Sequence, residues 1–249
     1  MSSTAHVYGL HAVRALLLRH PGRVLAVRTL DTRGDARMQE IGRLAQAAGQ
    51  RIERCDARRF AQLLGAVAHQ GVMAEVRPLE PWNEDRLLDA LGGDPLPLLL
   101  ALDGVQDPHN LGACLRTADA CGALAVIVPK DRAAQLNATV RKVAAGAAES
   151  TPVVAVTNLA RTLKLLKEAG LWIVGAAAEA GRPVQEVDFR GPVAIVMGAE
   201  GTGLRPLTRQ TCDFLVRLPQ LGVVESLNVS VATGMVLYEV LRQRRLPAA

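Results

Sequence analysis

Three polar stretches of the sequence hold residues that could bind or activate a ligand, and the first of them is DPHNLGACLRTADACG, residues 107–122. It predicts a helix of mostly small side chains that carries Arg116 in its middle. Because a guanidinium is always charged, burying Arg116 is costly unless it has a partner. We expect Asn110 to be the helix N-cap and Gly112 to leave room for Arg116 to fold back toward a site. Alternatively, Arg116 extends into solvent.

The second stretch is VMGAEGTGL, residues 196–204, in which three glycines follow an apolar run. Glycine lets the backbone come close to a ligand, and Glu200 adds a carboxylate among the glycines. The spacing is G-x-x-G-x-G, whereas dinucleotide-binding loops have G-x-G-x-x-G. An oxidoreductase that uses a nicotinamide cofactor is therefore disfavoured, while a plain turn remains an alternative.

The third stretch is LPQLGVVESLNVSVATG, residues 218–234. A predicted strand ends at Pro219, the chain turns through Gly222, and Ser226 and Asn228 follow as a helix begins. One polar residue is enough to cap a helix, so the further polar groups here exceed that need. All three stretches follow strand-like runs. In parallel sheets ligands bind at the carboxyl ends of strands, so we expect the three stretches to form one site.

The elements that must position this site alternate regularly over residues 98–249. Short apolar runs typical of buried parallel strands alternate with helical patterns, and a last helix is predicted from about Leu227 to Arg245. This alternation predicts an α/β domain with a parallel sheet covered on both faces. The strand-like runs are LLLALDGV, AVIVP, VVAVT, WIVGAAA, VAIVMG and FLVRLP.

A change of pattern divides the chain before this domain. Residues 78–97 contain four prolines and a Gly-Gly pair, which predicts a linker with one short helix. Residues 1–77 then form a separate, smaller α/β domain. Its predicted helices lie at 11–20, 36–49 and 58–66, and its predicted strands at 24–30 and 71–78.

Charge is distributed unevenly between the two parts. The chain of 249 residues has a formal net charge of +5, and residues 1–80 carry all of this excess, with 12 Arg, no Lys and 7 Asp plus Glu. Arginine suits bidentate phosphate contacts and stacking on bases. The first domain is therefore predicted to face nucleic acid, the alternative being an ordinary solvated surface.

Other features of the sequence exclude several classes of protein. The four cysteines form no C-x-x-C pair and have no histidine cluster beside them, so neither a metal site nor a disulfide framework is expected. There is no apolar run of 18 residues, and the N-terminus does not have the pattern of a signal peptide. We expect a soluble cytoplasmic protein that does not bind membranes.

The three stretches together resemble a known family. They read N-x-G-x-x-x-R-T-A-x-x-x-G at 110–122, M-G-A-E-G-x-G at 197–203 and L-P-x-x-G-x-x-x-S-L-N-V-S-V-A at 218–232. These patterns resemble the three motifs of the SPOUT RNA ribose 2'-O-methyltransferases. The similarity extends over about residues 6–245, including YGLHAV and HQGVMAEV in the first domain. It points to the bacterial branch that methylates a guanosine ribose in 23S rRNA.

The resemblance implies that the C-terminal part of the α/β domain is threaded as a trefoil knot. It also implies that the first domain is an RNA-binding fold of the ribosomal-protein L30 type. The protein would be a homodimer with the last helix in the interface, and it would act on 23S rRNA with S-adenosyl-L-methionine as cofactor and without a metal. The implied cofactor residues are Met197, Gly198, Gly203, Leu218, Gly222 and Leu227. The implied catalytic residues are Asn110, Arg116, Glu200, Ser226 and Asn228, with Arg116 acting near or across the dimer interface.

Two other functions remain open from the sequence. One is a tRNA guanosine-2'-O-methyltransferase of the same family, although the separate first domain favours ribosomal RNA, because the tRNA enzymes typically lack such a domain. The other is a non-catalytic RNA-binding protein that keeps the fold. The loss of Arg116, Glu200 or Asn228 would mark that case, and all three are present.

Overall fold

The computed structural model of the chain describes residues 4–30, 35–65, 67, 69–77, 81–223 and 226–245. The chain divides into two compact units. The first comprises residues 1–80 with 145–150, and the second comprises residues 81–144 with 151–249. Residues 78–80 of the predicted linker lie outside the described residues, as does Ala66 at the end of the third predicted helix.

The first unit is a small α/β structure. Its elements are β1 (Ala5–Tyr8), α1 (Leu10–Arg19), β2 (Val24–Leu30), α2 (Ala36–Ala47), β3 (Ile52–Cys55), α3 (Ala57–Leu64) and β4 (Val72–Val76). The four strands form one sheet in the order β1-β4-β2-β3. Strand β4 is antiparallel to β1 and β2, and β2 is parallel to β3. Asp35 and Asp56 cap α2 and α3 by accepting hydrogen bonds from backbone N–H groups of the first turn.

The three predicted helices and both predicted strands of this unit are confirmed, but β1 and β3 were not predicted. Both are four residues long. The first three residues of β3, Ile52 to Arg54, are exposed, so its sequence carries no apolar alternation. Strands of this kind are held by ladder hydrogen bonds to their neighbours, which a local pattern does not reveal.

The second unit contains a seven-stranded sheet and the helices that pack around it. The elements are α4 (Glu84–Leu91), β5 (Leu98–Asp103), α5 (Pro108–Ala120), β6 (Ala125–Pro129), α6 (Ala138–Val143), β7 (Val153–Val156), α7 (Leu159–Glu168), β8 (Trp172–Ala176), β9 (Arg182–Pro183), β10 (Val193–Gly198), α8 (Pro206–Thr211), β11 (Phe214–Arg217) and α9 (Val229–Arg245). The strand order is β7-β6-β5-β10-β8-β11-β9, and every described pair is parallel. The helix α4 lies inside the predicted linker and belongs to this unit.

Burial explains why the strands of the second unit were visible in the sequence. Every residue of β5 and β6 is buried, as are the first five residues of β10. Strands covered on both faces need apolar side chains at consecutive positions rather than at alternate ones. The predicted α/β class with a parallel sheet is confirmed.

The order of the strands brings distant parts of the chain to one edge of the sheet. At the ends of β5 and β10, Asp103 is the register partner of Gly198. On the other side of β10, Met197 and Val216 of β11 both pair with Ala176 at the end of β8. The segments that follow β5, β10 and β11 therefore leave the sheet at the same edge, and these segments contain the three motifs.

The basic residues of the two units differ in kind. The four lysines of the chain are all exposed and all lie in the second unit, whereas residues 1–80 carry arginine alone. The lysines are Lys130, Lys142, Lys164 and Lys167.

No helix in the described ranges combines the length and the apolar character needed to cross a bilayer. The same described residues contain no group of three His, Cys, Asp or Glu side chains that could hold a metal ion.

Candidate active site

One residue from each motif meets in a cluster of hydrogen bonds. The Glu200 carboxylate oxygen Oε1 accepts from Asn110 Nδ2 at 3.2 Å and from Asn228 Nδ2 at 2.7 Å. Asn228 Nδ2 also lies 3.0 Å from Asn110 Oδ1. We call Asn110, Glu200 and Asn228 the polar cluster. The structure therefore brings one residue from each of the three motifs within hydrogen-bond distance.

The orientation of Asn228 follows from its position at the start of α9. Its Oδ1 accepts hydrogen bonds from the Ser230 backbone N–H at 2.9 Å and the Ser230 hydroxyl at 2.6 Å. Because that oxygen caps the helix, the amide nitrogen must point away from it, toward Glu200. Glu200 in turn accepts from the Val229 backbone N–H at 3.2 Å, which places a carboxylate at the positive end of a helix. Asn228 therefore acts both as a cap and as a link to the other motifs.

Glu200 is positioned by a tight turn of the glycine-rich segment after β10. Ala199 and Gly203 exchange backbone hydrogen bonds of 3.2 and 2.9 Å. The turn folds so closely onto Gly198 that a Cβ there would lie 2.2 Å from the carbonyl carbon of Gly203. The turn therefore requires glycine at position 198. Gly201 in the same turn has φ +76°, a conformation that costs other residues roughly 1–2 kcal/mol.

Asn110 is not the N-cap of α5, so that prediction was wrong. Pro108 occupies the first turn of the helix, where proline is favoured, and Asp107 is the cap. The Asp107 Oδ1 accepts from the His109 backbone N–H at 2.9 Å. Asn110 consequently has its side chain available for Glu200 and Asn228.

The role expected of Gly112 was also wrong. A Cβ on Gly112 would lie 2.7 Å from Val143 Cβ and 3.0 Å from the Val140 carbonyl oxygen, so its missing side chain lets α5 pack onto α6. Arg116 is exposed, and within the described part of the chain it makes no hydrogen bond or ion pair. The single chain therefore does not bring Arg116 into the polar cluster. Its guanidinium extends into solvent.

A cavity of about 330 Å³ lies between the carboxyl ends of β5 and β10, beside the polar cluster. Asn110, Glu200 and Val229 line one part of it, and Arg132 and Arg205 line another. Asp103 also lines the cavity although it is only 1% exposed. Asp103 and Arg205 were not predicted from the sequence. The available signal was an aspartate that closes an otherwise apolar strand, LLLALD.

The expected cofactor residues follow β10 and β11 or stand at their ends. Met197 is buried in β10, and Gly198, Leu218 and Leu227 are half-buried. Gly203 and Gly222 are exposed. Ser226, one of the implied catalytic residues, is exposed and has no hydrogen bond to the polar cluster among the described residues. Near Gly222, the side chains of Leu221 and Val223 are almost completely exposed, at 101% and 99%.

A buried thiol behind the cluster contributes to packing. Cys114 Sγ lies 3.5 Å from Thr233 Oγ1, between α5 and α9. Burial raises the pKa of the Cys114 thiol to about 11, so it is protonated at neutral pH and unsuited to act as a nucleophile.

Comparison with known proteins shows which family the chain belongs to. Residues 97–238 match the model of the SpoU rRNA Methylase family, and residues 6–82 match a model described as RNA 2'-O ribose methyltransferase substrate binding. The chain belongs to the SpoU rRNA methylase family. It is 57% identical to the 23S rRNA (guanosine-2'-O-)-methyltransferase RlmB of Pseudomonas aeruginosa over 245 residues, which cover 98% of each chain.

Two solved structures show the same fold to different extents. The SpoU methyltransferase AviRb from Streptomyces viridochromogenes, in complex with AdoMet, aligns with 97% of this chain and 90% of its own at a TM-score of 0.75 and 24% identity. The A. aeolicus TrmH/SpoU tRNA modifying enzyme aligns with 65% of this chain and 84% of its own, at a TM-score of 0.54 and 31% identity.

Proposed function

We propose that this protein transfers a methyl group from S-adenosyl-L-methionine to the ribose 2'-hydroxyl of a guanosine in 23S rRNA. The observation that carries the proposal is the polar cluster, in which Asn110, Glu200 and Asn228 join the three motifs at one edge of the sheet. The similarity to an enzyme named for that reaction extends over 98% of both chains, which supports the substrate.

The segments that follow β10 and β11 fit the proposed cofactor. The tight turn at Gly198 presents backbone groups at the sheet edge, and the half-buried Leu218 and Leu227 offer apolar contact. The exposed Leu221 and Val223 are apolar side chains that a bound adenosyl group would shield from water. When bound, S-adenosylmethionine supplies an electrophilic methyl group, which the ribose 2'-oxygen takes as the carbon–sulfur bond breaks.

The remaining task of the protein is to position the ribose and to manage its proton. A guanidinium holds its protons too firmly to be an ordinary base. We therefore assign to Arg116 the binding of the target nucleotide's phosphate and the stabilisation of the developing alkoxide. Because Glu200 Oε1 accepts three hydrogen bonds, we assign Glu200 to orienting the polar cluster. The proton then leaves to the RNA phosphate or to water. We assign Ser226 to the ribose or the cofactor loops.

We further propose that the protein is a homodimer in which α9 lies in the interface. Val231, Met235 and Tyr238 are 51%, 44% and 64% exposed and are spaced so that they share one face of this helix. An exposed apolar stripe of this kind favours burial against a partner, and a second copy is the partner that the family resemblance implies. Arg116 would then act at the site near or across the interface, since it is exposed on the single chain.

Three further expectations belong to the same proposal. The C-terminal part of the second unit is threaded as a trefoil knot, and the first unit is an RNA-binding domain of the ribosomal-protein L30 type. The protein works in the cytoplasm and needs no metal. The model matched by residues 6–82, described as substrate binding, and the arginine-only basic charge of residues 1–80 support an RNA-binding first unit.

Ribosomal RNA is favoured over tRNA by the extent of the similarity. The tRNA modifying enzyme from A. aeolicus aligns with 65% of this chain, whereas the relative named for 23S rRNA aligns with 98%. Residues 6–82, which match the model described as substrate binding, lie largely in the first unit.

The test offers labelled S-adenosylmethionine with either unmodified 23S rRNA or total tRNA, using Arg116→Ala as the inactive control. Label in 23S rRNA, mapped to one alkali-resistant 2'-O-methylguanosine, is the expected result. Label in tRNA alone would show that the substrate is tRNA and not 23S rRNA, with the methyl-transfer reaction unchanged. No label in either RNA or in a precursor of the large subunit would favour the non-catalytic RNA-binding protein.

A further inference from the structure

The cavity beside the polar cluster contains a buried carboxylate that the proposed reaction does not use. The Asp103 side chain is completely buried at the end of β5, and its Oδ2 accepts a hydrogen bond from the Arg205 backbone N–H at 2.8 Å. Its Oδ1 has no hydrogen-bond partner among the described residues and lies 3.6 Å from Arg205 Nε. Burying a carboxylate is costly unless a partner compensates for the lost water, and here Arg205 is that partner.

Asp103 and Gly104 together hold the Arg205 side chain in place. Gly104 has φ +83°, and a Cβ on it would lie 3.1 Å from Arg205 Nη2. The guanidinium therefore lies against the backbone of a residue that has no side chain to displace it. The Arg205 side chain is 43% exposed, although its Nε lies 3.6 Å from the buried Asp103 carboxylate.

Arg205 shares the cavity with Asn110 and Glu200, and Arg132 lines it as well. The cavity also has three acidic lining residues, and each of these carboxylates has a partner. Glu200 accepts three hydrogen bonds, Asp107 accepts one at the start of α5, and Asp103 is paired with Arg205.

The two terminal nitrogens of Arg205 have no hydrogen-bond partner within the described ranges. Guanidinium nitrogens without such partners can donate a bidentate pair of hydrogen bonds to two phosphate oxygens.

We propose that Arg205, oriented by Asp103, binds a phosphate of the RNA strand next to the target ribose. Arg205 is then an RNA-binding residue of the site, and Asp103 is a positioning residue that acts through it. Arg132 supplies a second positive charge to the same cavity. This inference rests on the proposed function, because it assumes that an RNA strand enters at the polar cluster.

The test measures the affinity for an unmodified transcript of 23S rRNA at several salt concentrations. Arg205→Ala should raise the Kd about tenfold at low salt, as expected for the loss of a charged hydrogen bond. It should also reduce the slope of log K against log salt by about 0.7–0.9, the effect of one lost phosphate contact. Arg205→Lys should keep the slope but recover only part of the affinity. The control is Arg209→Ala in α8, the helix that begins directly after Arg205. Arg209 is outside the cavity lining and is paired with Glu179, so this variant should change neither value.

The variant Asp103→Asn tests whether Asp103 acts by orienting Arg205 or only through its own negative charge. Removing a negative charge beside an RNA site should strengthen binding if charge alone matters. If Asp103 orients Arg205, the variant should instead bind more weakly, and the double variant with Arg205→Ala should lose little more than Arg205→Ala alone. Should Asp103→Asn fail to fold, the Arg205 variants still decide the proposal.

Two results would overturn the inference. One is an unchanged Kd and slope for Arg205→Ala. The other is a loss of affinity for S-adenosylmethionine in calorimetry with RNA binding intact, which would assign Arg205 to the cofactor. Both readouts are binding measurements, so they remain distinct from a failure of the wild-type protein to methylate 23S rRNA, which would refute the proposed function instead.

Discussion

Asn228 and Glu200 are joined by a hydrogen bond of 2.7 Å that connects the first residue before α9 to the turn after β10. The two residues are 28 positions apart, and the same Glu200 oxygen also accepts from Asn110 in α5. One carboxylate therefore holds together three segments that leave the sheet at the same edge. Its removal should affect both the helix start and the site.

Replacing Glu200 distinguishes orientation from proton transfer. Glu200→Ala should lower the free energy of unfolding by about 1–3 kcal/mol, since three donors lose a charged acceptor, and should lower kcat at least tenfold. Glu200→Gln keeps an acceptor oxygen in the same place, so most of the stability and more than a third of the activity should return. Thermal unfolding and labelled-methyl transfer measure the two effects. A Glu200→Gln enzyme that is stable yet inactive would instead make Glu200 the proton acceptor.

The turn at Gly198 should tolerate no side chain. Gly198→Ala would put a Cβ 2.2 Å from the Gly203 carbonyl carbon, so the turn must open and the affinity for S-adenosylmethionine should fall at least tenfold in calorimetry. The matched control is Gly201→Ala, whose Cβ would have no neighbour within 4 Å. That variant has only the cost of φ +76°, about 1–2 kcal/mol. Equal cofactor affinities for the two variants would contradict this account of the turn.

Arg116 should contribute as a fixed positive charge. Removing one donor that stabilises a developing oxyanion costs about 10²–10³ in kcat, and we expect a loss of that size for Arg116→Ala. Arg116→Lys tests the proton role, because lysine has the lower pKa, about 10.4 in model peptides. We expect a large loss of activity without a displaced pH–rate profile. Near-normal activity with an inflection moved to lower pH would identify Arg116 as the base.

The apolar stripe of α9 should be needed for dimerisation. Met235→Glu places a charge on that face, so the variant should be monomeric at concentrations where the wild type is dimeric, as measured by light scattering after size exclusion. If Arg116 acts across the interface, methyl transfer should fall together with dimer content. Leu207→Glu is the control, since Leu207 is 67% exposed on α8 and outside the stripe. A dimeric Met235→Glu variant would exclude α9 from the interface.

Arg244 should stabilise the second unit from the far end of the same helix. Its guanidinium donates to the backbone carbonyls of Leu96, Pro97, Phe189 and Gly191, at 2.8–3.3 Å. Burial lowers its pKa, as expected for a partly desolvated cation. Arg244→Ala should reduce the free energy of unfolding by about 2 kcal/mol, and Arg244→Lys should recover little, since an ammonium cannot span the four acceptors.

Denaturant unfolding provides the measurement for Arg244. Arg190→Ala, which removes an exposed arginine paired with Asp188, should leave the midpoint unchanged and serves as the control. Similar midpoints for Arg244→Ala and Arg190→Ala would show that the four hydrogen bonds contribute no net stability.

Local sequence patterns predicted best those elements whose residues are buried on both faces. Strands such as AVIVP at 125–129 are buried on both faces, so their apolar runs reveal both their existence and their bounds. The four-residue β3 has no such pattern and depends on its neighbour β2. The start of α5 was misplaced because Asn110 is a good capping residue, yet Asp107 followed by Pro108 begins the helix earlier.

The site was predictable only as far as its residues lie within motifs. The convergence of Asn110, Glu200 and Asn228 follows from the shared edge of a parallel sheet, which the strand pattern already suggested. The contact between Asp103 and Arg205 joins residues 102 positions apart, so no local pattern predicts it. Gly112 misled the prediction, because a glycine gives no sign of which neighbour occupies the space beside it.

The uneven placement of lysine and arginine also determines which chemical probes can report on each unit. Amine-reactive reagents find four exposed lysines in the second unit, but between residues 1 and 80 they find no lysine. A footprint of bound RNA made with reagents that modify lysine would therefore not report on residues 1–80. Dicarbonyl reagents that modify guanidinium groups, read by mass spectrometry, would instead map protection there, with the lysines of the second unit as an internal reference.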